Sequence, residues 1–220
     1  MRCKQRVLIA ALAIVAFSSV SISSAQASST FTAPGASAGE TTTTKILKDG
    51  TGKTSHQVFD LGNSGSTVSM TCEAIEGTGH IIGPQNSEIT LITPALSGCQ
   101  VAGQPLAVTN TGCDFRFTAS GEVHIVSEAG KECSHGKQPI IYTFPGCKFE
   151  IGAQTINGIA YHNLADGTIT VERNNLQYTY NAIGAACEYG TLNNGTWTTG
   201  NFILTGERPT GTMVELKWDS

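Results

Sequence analysis

The sequence predicts an all-β protein, an antiparallel β-sandwich or jelly roll stapled by disulfides. Three observations carry that reading: apolar and polar residues alternate with period two in many short runs, turn residues separate the runs, and the cysteines left after an N-terminal export segment are even in number. The clearest alternation is Val68, Met70, Cys72 and Ala74 against Ser69, Thr71 and Glu73, which places one apolar row on one face of a strand. Similar runs span Glu88–Thr93, Leu106–Thr109, Glu122–Ser127, Pro139–Phe144, Thr168–Glu172, Leu176–Tyr180, Asn201–Thr205 and Met213–Trp218. Between them stand Gly83-Pro84, Gly103, Ser120-Gly121, Asp166-Gly167, Asn194-Gly195 and Pro209-Thr210-Gly211, each a turn signal. No long stretch shows the 3.6-residue period of a helix, and no fixed repeat marks a solenoid.

Composition agrees with a folded, non-basic domain. Of 220 residues, 40% are hydrophobic and 14% charged, which excludes a disordered polyelectrolyte. A formal charge of −4 excludes the basic surface expected of a nucleic-acid binder.

Residues 1–27 read as a signal peptide. Arg2, Lys4 and Arg6 form the positive region, Val7–Phe17 the apolar region, and Ala25-Gln26-Ala27 an A-x-A cleavage site. Eleven apolar residues followed by a serine-rich stretch fall short of the roughly 20 needed to span a bilayer. No membrane span is expected in the remainder. Cleavage removes three basic residues and no acidic ones, leaving ten against seventeen and a charge of −7. Residues 28–55 are small and polar, with Thr41–Thr44 and Asp49-Gly50-Thr51-Gly52 typical of them, and read as a flexible leader. An irregular first strand around Ile46-Leu47 is the alternative. Residues 56–220 are expected to form a single β-sandwich domain.

The cleaved chain keeps Cys72, Cys99, Cys113, Cys133, Cys147 and Cys187. In an exported protein these predict three bridges. Sequential pairing is favoured because strands adjacent in sequence tend to be neighbours in space. No close cysteine pair of the zinc-site kind exists, and Cys133-Ser134-His135 cannot by itself build a tetrahedral centre, so neither metal nor other cofactor is expected. An internal echo joins Gly112-Cys113-Asp114-Phe115-Arg116-Phe117 to Gly146-Cys147-Lys148-Phe149-Glu150-Ile151, and Gly98-Cys99-Gln100-Val101 begins the same way. In each, a turn glycine delivers a buried half-cystine into a strand, with the charges expected to face water.

Catalytic motifs are sparse. None of His56, His80, His124, His135 and His162 lies in H-E-x-x-H, and no serine sits in G-x-S-x-G. His124 is expected to face solvent or make a buried hydrogen bond. Gly77-Thr78-Gly79-His80 reads as a turn, since it lacks the strand-to-helix context of a phosphate loop. Glu73, Glu76, Glu88, Glu122 and Glu172 are the carboxylates from which a glycosidase pair would be drawn. Aromatic residues that could line a sugar platform are Trp197, Trp218, Tyr161, Tyr178 and Tyr180. Trp197, Tyr161 and His162 are the expected binding residues, His162 because it precedes the Asn163–Gly167 turn. Asn194-Gly195-Thr196 matches a glycosylation acceptor, and an Asn-Gly turn explains it equally well.

Across Thr67–Gly206 the chain resembles a loose group of secreted, disulfide-containing, β-rich bacterial proteins. The shared pattern is a strand cysteine, Pro94–Cys99 as P-x-x-x-G-C, Thr111–Phe115 as T-G-C-x-F, Gly121–Ile125 as G-x-V-x-I, Gly146–Gln154 as G-C-x-F-x-I-x-x-Q, and a late cysteine. The resemblance implies export and a β-rich fold, and no activity. The group pattern has a cysteine near the end of the G-x-V-x-I strand, where this chain has Ser127 and places Cys133 six residues on.

These features point to a secreted, non-enzymatic β-sandwich that acts at the cell envelope or outside the cell, as a structural or ligand-binding module. The ligand class suggested by the aromatic residues is carbohydrate, and an envelope component is the other partner considered. The competing classes are a polysaccharide hydrolase using an unassigned carboxylate pair, and an inhibitor or effector presenting a loop.

Overall fold

Alternation in sequence becomes alternation in burial. Met70, Cys72 and Ala74 are buried while Ser69 and Glu73 are exposed, and the same pattern holds for Ile89 and Leu91 or Val123 and Ile125 against their neighbours. The structure, a computed structural model, describes residues 28–47, 57–63, 66–184, 187 and 193–220. The expected signal peptide, the 48–55 end of the expected leader and His56 lie outside the described residues.

The described residues are all-β, without a helix. In chain order the strands are β1 (Thr30–Thr32), β2 (Thr41–Leu47), β3 (Gln57–Asn63), β4 (Ser66–Cys72), β5 (Ala74–Ile82), β6 (Gln85–Asn86), β7 (Glu88–Ser97), β8 (Gln100–Val101), β9 (Gln104–Pro105), β10 (Ala107–Asn110), β11 (Cys113–Thr118), β12 (Glu122–Ser127), β13 (Ile140–Phe144), β14 (Cys147–Ile151), β15 (Gln154–Asn157), β16 (Ile159–Asn163), β17 (Ile169–Ile183), β18 (Asn193–Glu207), β19 (Met213–Val214) and β20 (Lys217–Asp219).

Pairing is antiparallel throughout. β2, β5, β7, β11, β12, the β15–β16 segment, β17 and β18 each pair with the next in that order. β18 then pairs back with β2, so these eight segments close into a ring. Closure leaves those strands no open edge. The intervening strands β3–β4, β8–β10 and β13–β14 form a second sheet on the far halves of β17 and β18, in the order β10-β13-β14-β17-β18-β3-β4-β8-β9. The two 15-residue strands β17 and β18 therefore serve both layers over one continuous core. A small sheet, β20-β1-β6, lies beside them.

Residues 28–47 are not a flexible leader. Thr41–Leu47 is the strand that closes the ring, bonded on one edge to β18 and on the other to β5. Its low count of large apolar residues misleads because its neighbours supply the apolar area. Thr42 and Thr44 are nonetheless fully buried.

Two expected turns are strand. Gly77-Thr78-Gly79-His80 lies inside β5, where the Thr90 carbonyl passes over Gly79 at a spot that a Cβ would fill. Asn194-Gly195 lies inside β18, with the Tyr178 ring against Gly195. In both, glycine permits close approach and not a reversal of the chain. The expected strands Thr168–Glu172 and Leu176–Tyr180 are one strand, irregular at Asn175, whose φ is 56°.

The disulfides pair the cysteines sequentially: Cys72–Cys99, Cys113–Cys133 and Cys147–Cys187. Ser127 stands directly across from Cys113, and its Oγ accepts the Cys133 N–H at 3.0 Å. The displaced half-cystine thus returns to the place where the group pattern has a cysteine. Charges in the echoed segments do not all face water. Asp114 is buried and accepts the Thr93 N–H at 2.9 Å, and Glu150 is 1% exposed, accepting from Gly136 N–H and Lys148 Nζ, each at 2.9 Å. Both faces of β11 and β14 are covered there, so a carboxylate fits only because it is hydrogen-bonded.

Candidate functional site

Alternation along β16 sends Tyr161 inward and His162 outward. The phase is set one residue earlier, where the N–H groups of Gly158 and Ile159 both donate to Gly121 O, at 3.0 and 2.9 Å. This bulge lets Ile156, Ile159 and Tyr161 all point into the core. Tyr161 is 3% exposed and donates its hydroxyl to Thr118 O at 2.8 Å. Burial pushes its phenol up, against the opposing pull of the Arg173 charge, so it remains a hydrogen-bond donor.

Trp218 reaches the same place from β20. Its backbone is clasped by the Asn163 amide, which donates to Trp218 O at 2.8 Å and accepts from Trp218 N–H at 2.7 Å. Its indole N–H donates to Ala119 O at 2.9 Å. The Tyr161 ring lies 5.8 Å from Trp218 and 5.0 Å, edge-on, from Phe31 of β1. His162 pairs with Glu172 at 3.1 Å on the exposed side.

Tyr161, His162 and Trp218 line an open groove of about 390 Å³ whose rim includes Ser29, Ser120 and Gly121. A second groove of about 360 Å³ shares Ser29 and Ser120 and adds Ser87, Glu88 and Thr118. The half-buried Trp218 ring at the floor, backed by the buried Tyr161, and hydroxyls and a carboxylate at the rim make a surface able to hold a polyhydroxylated molecule, one face on the indole and its hydroxyls on the rim.

Of the three expected binding residues, His162 stands exposed at the groove, Tyr161 is buried beneath its floor, and Trp197 does not reach it. Trp197 is 2% exposed, stacks on Phe59 at 4.9 Å and has the Arg173 guanidinium 3.9 Å from its ring. It is core, because β18 turns residue 197 toward the second sheet. The expected platform residues Tyr178 and Tyr180 are likewise buried. The cavity that Trp197 lines is walled by apolar side chains and Tyr142, with no carboxylate. Glu122 pairs with His124 at 3.1 Å, Glu76 lines a different groove, and Glu73 lies against Gly98, so the five glutamates do not gather beside Trp197.

Arg173 and Gln57 escaped the sequence reading. Arg173 is 0% exposed, donates to Gln57 Oε1 at 2.6 Å, and lies 4.4 Å from the Phe202 ring. Gln57 Oε1 also accepts the Trp197 indole N–H at 3.1 Å. Burial pushes the guanidinium down, and Tyr161 opposes the shift. The only trace in the sequence is a charged residue at an inward-facing position of a strand. Among the described residues no cluster of His, Cys, Asp and Glu could hold a metal, and no helix is long and apolar enough to cross a membrane.

Comparison with family profiles, with curated proteins and with solved structures finds no match. The three disulfides are of the kind kept by proteins of oxidising compartments.

Proposed function

We propose that the protein is an exported, non-enzymatic module that binds carbohydrate at the cell envelope or outside the cell. The observation that carries the reading is that His162 and the half-buried Trp218 ring, from β16 and β20, meet over the buried Tyr161 at one open groove rimmed by Ser29 and Ser120. Supporting it are the disulfides and the export-type residues 1–27. The ring hydrogen bonds of Tyr161 and Trp218 run inward to backbone carbonyls. The Trp218 ring, packed on the buried Tyr161, is therefore held in a fixed position before a ligand arrives, which lowers the entropic cost of binding.

The test is a glycan array of neutral, amino and acidic oligosaccharides probed with residues 28–220. Binding to one structural class is expected, with loss of at least about tenfold in Trp218→Ala, the scale of one removed stacking contact. Absence of binding to every glycan class would overturn the reading.

A further inference from the structure

Thr93 has φ 41°, a left-handed conformation that a β-branched side chain rarely adopts. Three hydrogen bonds hold the segment there. Its N–H donates to the Asp114 carboxylate at 2.9 Å and its hydroxyl to Glu128 at 2.7 Å. The next residue, Pro94, is buried, and its carbonyl accepts from the Asn110 amide at 3.1 Å. Proline disfavours helical conformations in the residue before it, which adds to the strain. The β5–β7 register places Thr93 and Pro94 together opposite Gly77, a bulge whose left-handed position is ordinarily filled by glycine and not by a β-branched residue. Strain retained at this many anchors points to a use for it.

We propose that Thr93 is the nucleophile of a self-cleavage reaction that cuts the Ile92–Thr93 peptide bond. Glu128 takes the hydroxyl proton as Thr93 Oγ1 attacks the Ile92 carbonyl carbon. The C–N bond then breaks and Glu128 returns the proton to the departing nitrogen. The product is an ester between Ile92 and the Thr93 oxygen, with no atom gained or lost. Asp114, already bonded to that nitrogen, stabilises the ammonium that forms once the freed amine takes up a proton from water. Breaking the peptide bond releases the strained φ, which favours the ester. Water then hydrolyses the ester, restoring the hydroxyl and leaving a carboxylate on Ile92 and an amine on Thr93. Ile92 is 45% exposed, and it and Thr93 line an open groove, so solvent reaches the bond. Lys131, bonded to Glu128 at 2.7 Å, positions the carboxylate. The Cys72–Cys99 disulfide spans the cut and would keep the two pieces joined.

The experiment uses the purified disulfide-bonded protein, incubated with and without neutral hydroxylamine, which intercepts esters. Expected are one band without reductant, two fragments after reduction, a mass gain of one water in buffer, and faster cutting with hydroxylamine. Thr93→Ala should stay whole, Thr93→Ser should still cut, and Glu128→Gln should slow cutting by at least about tenfold. A folded wild-type chain that stays whole in hydroxylamine overturns the proposal. So does cutting that persists in Thr93→Ala. Circular dichroism of each variant establishes that it is folded before its cutting is scored.

Discussion

Replacing Trp197 with alanine separates a core role from a ligand platform. The side chain is 2% exposed, stacked on Phe59 at 4.9 Å, under Arg173 at 3.9 Å, and bonded to Gln57 at 3.1 Å. Truncating a buried aromatic of this size costs about 3–5 kcal/mol in lost transfer energy and cavity formation. Loss of the cation–π contact adds about 0.5–2 kcal/mol, because the Arg173 guanidinium stays buried with one fewer partner. A total of about 3.5–7 kcal/mol corresponds to a fall in Tm of roughly 7–28 °C for a domain of this size. The assay is thermal unfolding of the oxidised protein followed by near-UV circular dichroism, with refolding checked on cooling. A Tm within about 2 °C of wild type would refute the placement of Trp197 in the core.

Other consequences follow from the same packing. Burial tends to raise the Glu150 carboxyl, but the hydrogen bonds from Lys148 and Gly136 win and hold it below the ordinary carboxylate range. Its contribution to stability is therefore present above the unfolded-state pKa and is lost as pH falls through the folded one. Urea midpoints should drop below about pH 4 in wild type and drop less in Glu150→Gln. Gly79→Ala should cost upwards of about 2 kcal/mol, read by the same midpoints, because the added methyl meets the Thr90 carbonyl and not a side chain that can turn away. The disulfides close loops of 20, 27 and 40 residues, so removing any one pair should cost about 3–4 kcal/mol, and a non-reducing peptide map should find no free thiol among the six cysteines.

Much of the fold was legible because burial in a strand follows a period of two. Met70, Cys72 and Ala74, or Phe115 and Phe117, announce their inward face without help from distant residues. The sequential disulfides were legible for a related reason, since segments near in sequence lie side by side, as where β4, which ends at Cys72, pairs with β8, just after Cys99. What escaped depends on partners far along the chain. β2 looks too polar to be ordered until β18 and β5 hydrogen-bond both its edges. Asn194-Gly195 looks like a turn until the Tyr178 ring is found against the glycine. Asp114 and Glu150 look like solvent-facing charges until Thr93 and Gly136 donate to them. The groove divides in the same way. His162 was marked by its neighbouring turn and Tyr161 by its aromatic ring, but Trp218 joins them only through the pairing of β20 with β1 and the clasp from Asn163. Trp197 suggests a ligand platform and is core instead, because a tryptophan's chemistry does not reveal which sheet face it occupies.

The carbohydrate groove is tested most directly by the indole signals of Trp197 and Trp218 in ¹⁵N-labelled protein, titrated with the glycan class that the array identifies. The expected result is a saturable shift of the Trp218 indole N–H with the Trp197 signal unmoved, and no shift in Trp218→Phe beyond the loss of its own signal. A glycan that moves neither indole, or only that of Trp197, would contradict the assignment of the groove.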